Sequence, residues 1–268
     1  MSRNLYIVPH DFTAAGDSAL SYALNLGKKV RTEIQIIHVI SDKTKLMAAK
    51  QKMDKIVQSI DSGVHLEVSG KIVVGNFFED LGKIAKKEAA QLIIMGTHGL
   101  TGMQKLFGSN VIKVVTSSEV PFLVVQKGTK INEIKKIIVP IDMTKESLQI
   151  ANLAGDISNI YGAEIHVVAE KETDEILSRK MANRMSIVRD QYTERNLNAT
   201  FHLLEKRGSF YSKIMDYAKK NQGDFIAFAY HSESLFAVFD QFAANLVVNE
   251  QQLPCLIINS KSASKLYF

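Results

Sequence analysis

A glycine-rich loop is the stretch of this sequence whose residue types and spacing could do chemistry. The apolar run at 92–95 ends at Gly96, and a loop with glycines at 99, 102 and 108 leads into a segment with helical spacing. Glycine lets backbone N–H groups approach an anion closely, and the first turn of a helix has unpaired N–H groups and a partial positive charge. Ser109 adds a hydroxyl at the helix start. The pattern indicates a phosphate site.

Alternating strands and helices must position this loop. Apolar runs predict strands, and helical spacing predicts helices; the strands fall at 5–8, 33–40, 64–74, 92–95 and 121–125, and the helices at 15–30, 42–59, 78–89 and from 108. Thr13 is the expected N-cap of the first helix. Such an alternation forms a parallel sheet with helices on both faces.

The same pattern restarts after a polar break at 127–133. Pro140 and Asp142 repeat Pro9 and Asp11, and from Gly75 through residue 121 the second copy follows at a constant offset of 133 residues. This internal duplication predicts two domains, at 1–128 and 134–260, followed by a polar tail at 261–268.

The glycine spacing resembles the signature of the universal stress protein family, in which a Gly-x-x-Gly pair is followed by Gly-Ser or Gly-Thr. Gly96 and Gly99 match the pair, and Gly108 and Ser109 match the dipeptide. The resemblance covers nearly the whole chain. It implies two tandem copies of an open five-stranded parallel sheet with helices on both faces, an α/β fold that is Rossmann-like and similar to adenine-nucleotide alpha-hydrolases.

The family resemblance also implies a ligand and a role. The ligand would be an adenine nucleotide, ATP before ADP or AMP, with or without Mg²⁺, and the protein would act in stress response as a regulator or adaptor rather than as an enzyme, with slow ATP hydrolysis left open. The implied nucleotide site consists of Pro9, Asp11, Val39, Met95, Gly96, His98, Gly99, Gly108, Ser109 and Asn110.

Several of these residues have a second interpretation. Asp11 matches the family aspartate that meets the adenine end, but Asp142 persists in the second copy, so the aspartate could instead support the turn. His98 could likewise serve packing, since His231 matches it. Val39 matches the position whose backbone meets adenine, although its side chain alone indicates only a core strand.

The second copy has lost the phosphate features. Ala229, Ser232, Gln241 and Phe242 stand where the first copy has its three signature glycines and the serine. We therefore expect the second copy not to bind nucleotide in the same way, and to contribute packing or a different pocket.

A shortened loop motivates an alternative function. Only eight residues separate Gly99 from Gly108, one fewer than is usual in the family's ATP-binding members. If the loop has closed the site, the protein is an interaction or scaffold module of the same fold that binds no nucleotide.

Composition restricts the remaining function classes. The chain has 268 residues, 46% of them hydrophobic, without an apolar run near the roughly 20 residues that span a membrane. Its net charge of +5 is dispersed, and no nucleic-acid, metal-ligand, Walker or Gly-x-Ser-x-Gly motif occurs. The single cysteine, Cys255, lies in an apolar run and is expected in the core.

These features predict a cytoplasmic protein with no signal peptide, no membrane partner and no nucleic-acid partner. The last strands of the two copies, at 121–125 and 253–258, are apolar, and an exposed apolar edge is a liability. We therefore expect the two domains to pair through these strands, with a homodimer as a further expectation.

Overall fold

The chain forms two compact units, residues 1–131 and 132–268. The computed structural model describes residues 4–60, 66–98, 107–131, 133–205, 208–230 and 237–259.

The first unit alternates strands and helices. In chain order its elements are β1 (Leu5–Pro9), α1 (Ala14–Gly27), β2 (Thr32–Ile40), α2 (Leu46–Ser59), β3 (Leu66–Val74), α3 (Phe77–Lys87), β4 (Leu92–Thr97), α4 (Phe107–Thr116) and β5 (Phe122–Gln126). The strands pair in parallel in the order β3-β2-β1-β4-β5. From β1 the chain adds β2 and β3 on one side of the sheet and then β4 and β5 on the other, so the strand order reverses between β1 and β4. Open α/β sheets bind ligands at such a reversal, outside the carboxyl ends of the strands.

The second unit repeats this architecture. Its elements are β6 (Lys136–Pro140), α5 (Glu146–Tyr161), β7 (Glu164–Glu170), α6 (Glu175–Glu194), β8 (Ala199–Leu204), α7 (Phe210–Asn221), β9 (Phe225–Tyr230), α8 (Ala237–Val247) and β10 (Cys255–Asn259). The strands are again parallel, in the order β8-β7-β6-β9-β10, so the reversal falls between β6 and β9. The predicted fold class, two tandem open parallel sheets flanked by helices, is confirmed.

The central strands are apolar throughout because helices cover the sheet. All residues of β1 are buried, and in β4 Ile93 and Ile94 are fully buried. Helix α1 turns a face of small side chains to the sheet, including the buried Ala15, Ala19 and Ala23. Small side chains let this helix approach the strands closely.

Two helix boundaries differ from the sequence prediction by three or more residues. The helix predicted from residue 42 begins with a 3₁₀ turn, Lys43–Lys45, because the Asp42 carboxylate accepts the Thr44 N–H at 2.8 Å and caps that turn first. Helix α1 ends at Gly27 rather than at residue 30, because the chain must turn before β2 starts at Thr32.

Cys255 lies in the core of the second unit, as its apolar neighbours predicted. The residue is fully buried, and its Sγ lies 3.2 Å from the Leu246 carbonyl oxygen. Burial raises the pKa of the Cys255 thiol, because the thiolate would lose its hydration. The thiolate is the reactive form, so the native thiol is inert.

We expect Cys255 to escape Ellman's reagent in the native protein at about pH 8, where a free cysteine with its pKa of ~8.5 reacts readily. In denaturant the same assay should release one equivalent of chromophore per chain, since the chain has one cysteine. Rapid labelling of the native protein would show that the thiol is exposed or activated.

Candidate functional site

A cavity of about 270 Å³ opens in the first unit at the carboxyl ends of β1 and β4, where the strand order reverses. Small-molecule pockets are usually about 300–1,000 Å³, and the described walls fall just below that range. Six of the predicted site residues line the cavity: Pro9, Asp11, Val39, Met95, Gly96 and His98. Thus residues from three separate strands and their following turns meet at one place.

The other predicted residues belong to the glycine loop and the helix after it. Gly99 lies outside the described residues. Gly108, Ser109 and Asn110 belong to the first turn of α4. Because α4 follows β4 in a parallel unit, its first turn lies at the carboxyl edge of the sheet, and the next residue, Val111, lines the cavity. N–H groups that have no partner within the helix, as at any helix start, therefore border this space.

The turn after β1 is held by Asp11. One carboxylate oxygen accepts the Thr13 N–H at 3.1 Å and the Thr13 hydroxyl at 2.6 Å. Thr13 is the N-cap of α1, as predicted, but its side chain bonds Asp11 instead of a helix N–H. Asp11 is exposed, so its carboxylate is also accessible to a ligand.

The same turn role recurs in the second unit. Asp142 accepts the Thr144 N–H at 2.8 Å, the Thr144 hydroxyl, and the Ser147 hydroxyl at 2.6 Å. The turn interpretation of the aspartate therefore holds in both units, and the ligand role of Asp11 stays a prediction that would add to it.

His10 is a buried part of this turn that the sequence prediction missed. The residue is 3% exposed. Its Nδ1 accepts the Phe12 N–H at 3.0 Å, so Nδ1 carries no proton, and its Nε2 lies 3.2 Å from the Asp17 carboxylate. Both nitrogens are engaged by the protein, and the ring is neutral with the proton on Nε2.

An aromatic contact continues the wall. Phe12 has a φ of 62°, a left-handed conformation that side chains rarely adopt, and its ring lies 4.2 Å from the His38 ring between centroids. The His38 Nδ1 donates to the His10 carbonyl oxygen at 2.7 Å. The turn after β1 is thereby fastened to β2.

Comparison with known proteins identifies the first unit. Residues 6–126 match the model of the universal stress protein family. This unit is therefore a universal stress protein domain. A universal stress protein of Methanocaldococcus jannaschii is 40% identical over 80 residues, which are 30% of this chain and 49% of the relative. The alignment thus spans about half of the relative's length.

Solved structures extend the likeness of the fold. The structure of a universal stress protein from Archaeoglobus fulgidus superposes with a TM-score of 0.77 and 18% identity. The match covers 97% of this chain and 99% of the A. fulgidus chain. That identity supports a shared fold alone. Another A. fulgidus universal stress protein, solved in complex with dAMP, matches 48% of this chain with 14% identity and a TM-score of 0.38.

Gly96, one of the family-signature glycines, has a structural cause that the sequence did not reveal. A Cβ built on Gly96 would lie 1.9 Å from the Ala15 carbonyl oxygen, a backbone atom of α1. The glycine therefore lets the first turn of α1 pack against the end of β4. The sequence predicts that Gly96 serves phosphate approach, and the close packing of α1 is sufficient to require a glycine there.

Gly16 has a similar role beside His10. A Cβ on Gly16 would lie 3.0 Å from three atoms of the His10 ring. A side chain at this position of α1 would crowd the buried imidazole. In the second unit the corresponding positions hold Ile141 and Ser147.

The cavity has further lining residues that sequence analysis missed: His10, Gly16, His38, Phe77, Phe78 and Thr97. The one available signal was position, since Phe77 and Phe78 begin the helix after β3 and therefore lie at the carboxyl edge of the sheet. His98 is half-buried at the wall, and its role in binding or packing stays open.

Neither a metal site nor a membrane-spanning helix occurs among the described residues. No group of three or more His, Cys, Asp or Glu side chains there could hold a metal ion. Among the described helices, none combines the length and the apolar character needed to cross a membrane.

Replacing Gly96 by Ala should lower the free energy of unfolding by about 1–3 kcal/mol, because the added methyl group overpacks against α1 backbone. Urea denaturation followed by circular dichroism measures this. The reverse change at the matching position, Ala229→Gly, should cost only about 1 kcal/mol, from one lost methyl group and added chain entropy. An unchanged midpoint for Gly96→Ala would refute the close approach.

Stability should also fall in mild acid. Burial lowers the pKa of His10 below its ordinary 6.5, although Asp17 and Asp11 act in the opposite direction. Below pH 6.5 the unfolded chain therefore binds more protons than the native one, and the free energy of unfolding decreases.

His10→Asn tests how much of the pH dependence of the free energy of unfolding comes from His10. The Asn side chain can still accept the Phe12 N–H but does not titrate. Unfolding free energies measured between about pH 7.5 and 5.5 should change less in the variant than in the unsubstituted protein. The pKa of His202 is also lowered, chiefly by burial, so a residual slope is expected. Equal slopes would show that His10 is not held neutral.

Proposed function

We propose that the first unit binds an adenine nucleotide and that the protein acts in stress response as a regulator or adaptor. The observation that supports this is the cavity at the reversal between β1 and β4, because it collects Asp11, Val39 and Gly96 beside the first turn of α4. The phosphates of a nucleotide need N–H donors and its planar base needs apolar surface, and the described walls provide both.

The proposed pose follows the distribution of polar and apolar groups. Adenine would lie near Asp11 and the backbone of Val39, with Phe77 and Phe78 from α3 supplying apolar surface. The phosphates would lie over the end of β4, near the N–H groups that open α4. ATP is the nucleotide we favour within the proposal.

The described walls are poorly equipped for catalysis. Asp11 is the one carboxylate among the described lining residues, so any Mg²⁺ would be held mainly by the nucleotide's phosphates. Both nitrogens of His10 are engaged by protein groups, so that histidine is not a free base. We therefore expect ATP hydrolysis to be slow or absent.

Universal stress proteins have been solved in complex with dAMP and with cAMP. Those complexes concern those proteins, and the proposal for this chain rests on its own residues. Pairing of the two units through their last strands, a homodimer and a cytoplasmic location stay predictions.

Asp11→Ala should weaken ATP binding about 10- to 100-fold, the effect of losing a charge-assisted hydrogen bond worth ~1.5–3 kcal/mol. Asp142→Ala removes the matching turn contacts in the second unit and should leave the affinity unchanged. Isothermal titration of protein stripped of nucleotide by refolding measures both, and the melting temperature of each variant reports its fold.

Freshly purified protein should also release nucleotide when heat-denatured and analysed by ion exchange. ATP at 100 times its dissociation constant should stabilise the native protein by about 2.7 kcal/mol. If no nucleotide is released and the melting temperature does not move in millimolar ATP, nucleotide binding is refuted and the interaction or scaffold module is favoured. Equal loss of affinity from both aspartate variants would place the site elsewhere.

A further inference from the structure

The second unit has its own cavity at the equivalent place, and that cavity is larger. It measures about 580 Å³, against about 270 Å³ in the first unit. It lies where β6 and β9 end, at the second reversal of strand order, and its walls include Ile141 and Tyr230. Its volume is within the range of about 300–1,000 Å³ typical of small-molecule pockets.

Aromatic side chains form one wall of this cavity. The rings of Phe210 and Phe242 stack with centroids 5.5 Å apart and an interplanar angle of 17°. Phe228 meets Phe242 edge-on at 6.0 Å. Phe242 occupies the position of Ser109, so an apolar ring stands where the first unit has a hydroxyl at its helix start. Flat ring systems stack favourably on such a surface.

Acidic side chains form the charged part of the described lining. Asp142, Glu170 and Glu172 line the cavity, and none of its described lining residues is Lys, Arg or His. Asp142 is bonded to Thr144 and Ser147, as described above. Glu170 is paired with Lys213 at 2.6 Å. An anion in this cavity would meet acidic lining residues and no basic one among those described, and like charges in a partly buried site repel.

Strand register shows that the acid replaces an apolar group. Pro9 pairs with Ile37 in the first unit, and Pro140 pairs with Val168 in the second, so Glu170 matches Val39. The expected adenine position thus holds a carboxylate in an ion pair. Together with the ring at Phe242, this change gives both ends of the cavity side chains unlike those of the first unit.

We propose that the second unit binds a ring-bearing, largely apolar small molecule that carries no anionic group. The ligand would stack on Phe210 and Phe242 and keep any polar or cationic group toward the acidic lining. This inference is independent of nucleotide binding by the first unit, since every residue that carries it lies in the second.

Two dyes with the same ring system test the charge preference. N-phenylnaphthylamine is uncharged, and anilinonaphthalene sulfonate has the same rings with an anionic group added. Fluorescence titration of the native full chain should show one saturable site for the uncharged dye and binding of the sulfonate at least ~10-fold weaker. Glu172→Lys changes a half-buried loop residue and should reduce this difference in affinity by strengthening binding of the sulfonate.

Matched substitutions locate the site. Phe210→Leu should weaken binding of the uncharged dye by about 2- to 10-fold, the effect of losing one aromatic contact. Phe201→Leu makes the same change in the same unit, on β8 and outside the cavity lining, and should have no effect. Saturating ATP should leave dye binding unchanged, which separates this site from the cavity of the first unit.

Three results would overturn the proposal. The first is no saturable binding of the uncharged dye to native protein. The second is equal binding by the two phenylalanine variants, with circular dichroism melting showing that both are folded. The third is equal affinity for the two dyes. If Phe210→Leu does not fold, the dye comparison in the unsubstituted chain and in Glu172→Lys still decides the outcome.

Discussion

The first turn of α1 lies against the end of β4 with no room for a side chain between them. At Gly96 even a methyl group would overlap the Ala15 carbonyl oxygen. This contact fixes where α1 starts, and so where the preceding turn with His10 and Asp11 is held. The cavity of the first unit exists at the strand reversal because this close packing keeps the turn after β1 beside the end of β4.

The two units use different side chains to support the same turn. In the first, a neutral His10 accepts from Phe12 and fits against Gly16. In the second, Ile141 takes the place of the imidazole, and Ser147 bonds the aspartate instead. A side chain at position 16 would crowd the His10 ring, and the second unit, which has no imidazole at position 141, has Ser147 at the matching place.

Strand order places a cavity in each unit, but side chains decide its chemistry. Both cavities lie at the carboxyl ends of parallel strands where the order reverses. In the first, the helix start with Ser109 and the apolar Val39 border the space; in the second, Phe242 matches Ser109, and Glu170, paired with Lys213, matches Val39. Duplication has therefore kept the frame and separated the two ligand environments.

The sequence by itself determined the fold class, since apolar runs alternating with helical spacing leave a parallel sheet as the consistent arrangement, and the repeat doubled that signal. The resemblance to the family also singled out Asp11, Val39 and Gly96, which line one cavity, and their role in binding stays a prediction. The tertiary structure alone revealed His10 as a buried support and Phe77 as part of the wall. The residue types histidine and phenylalanine do not indicate these positions. The two residues lie near the end of β4 because the strand order brings distant turns to one edge of the sheet. The acidic, aromatic cavity of the second unit was likewise decided by packing.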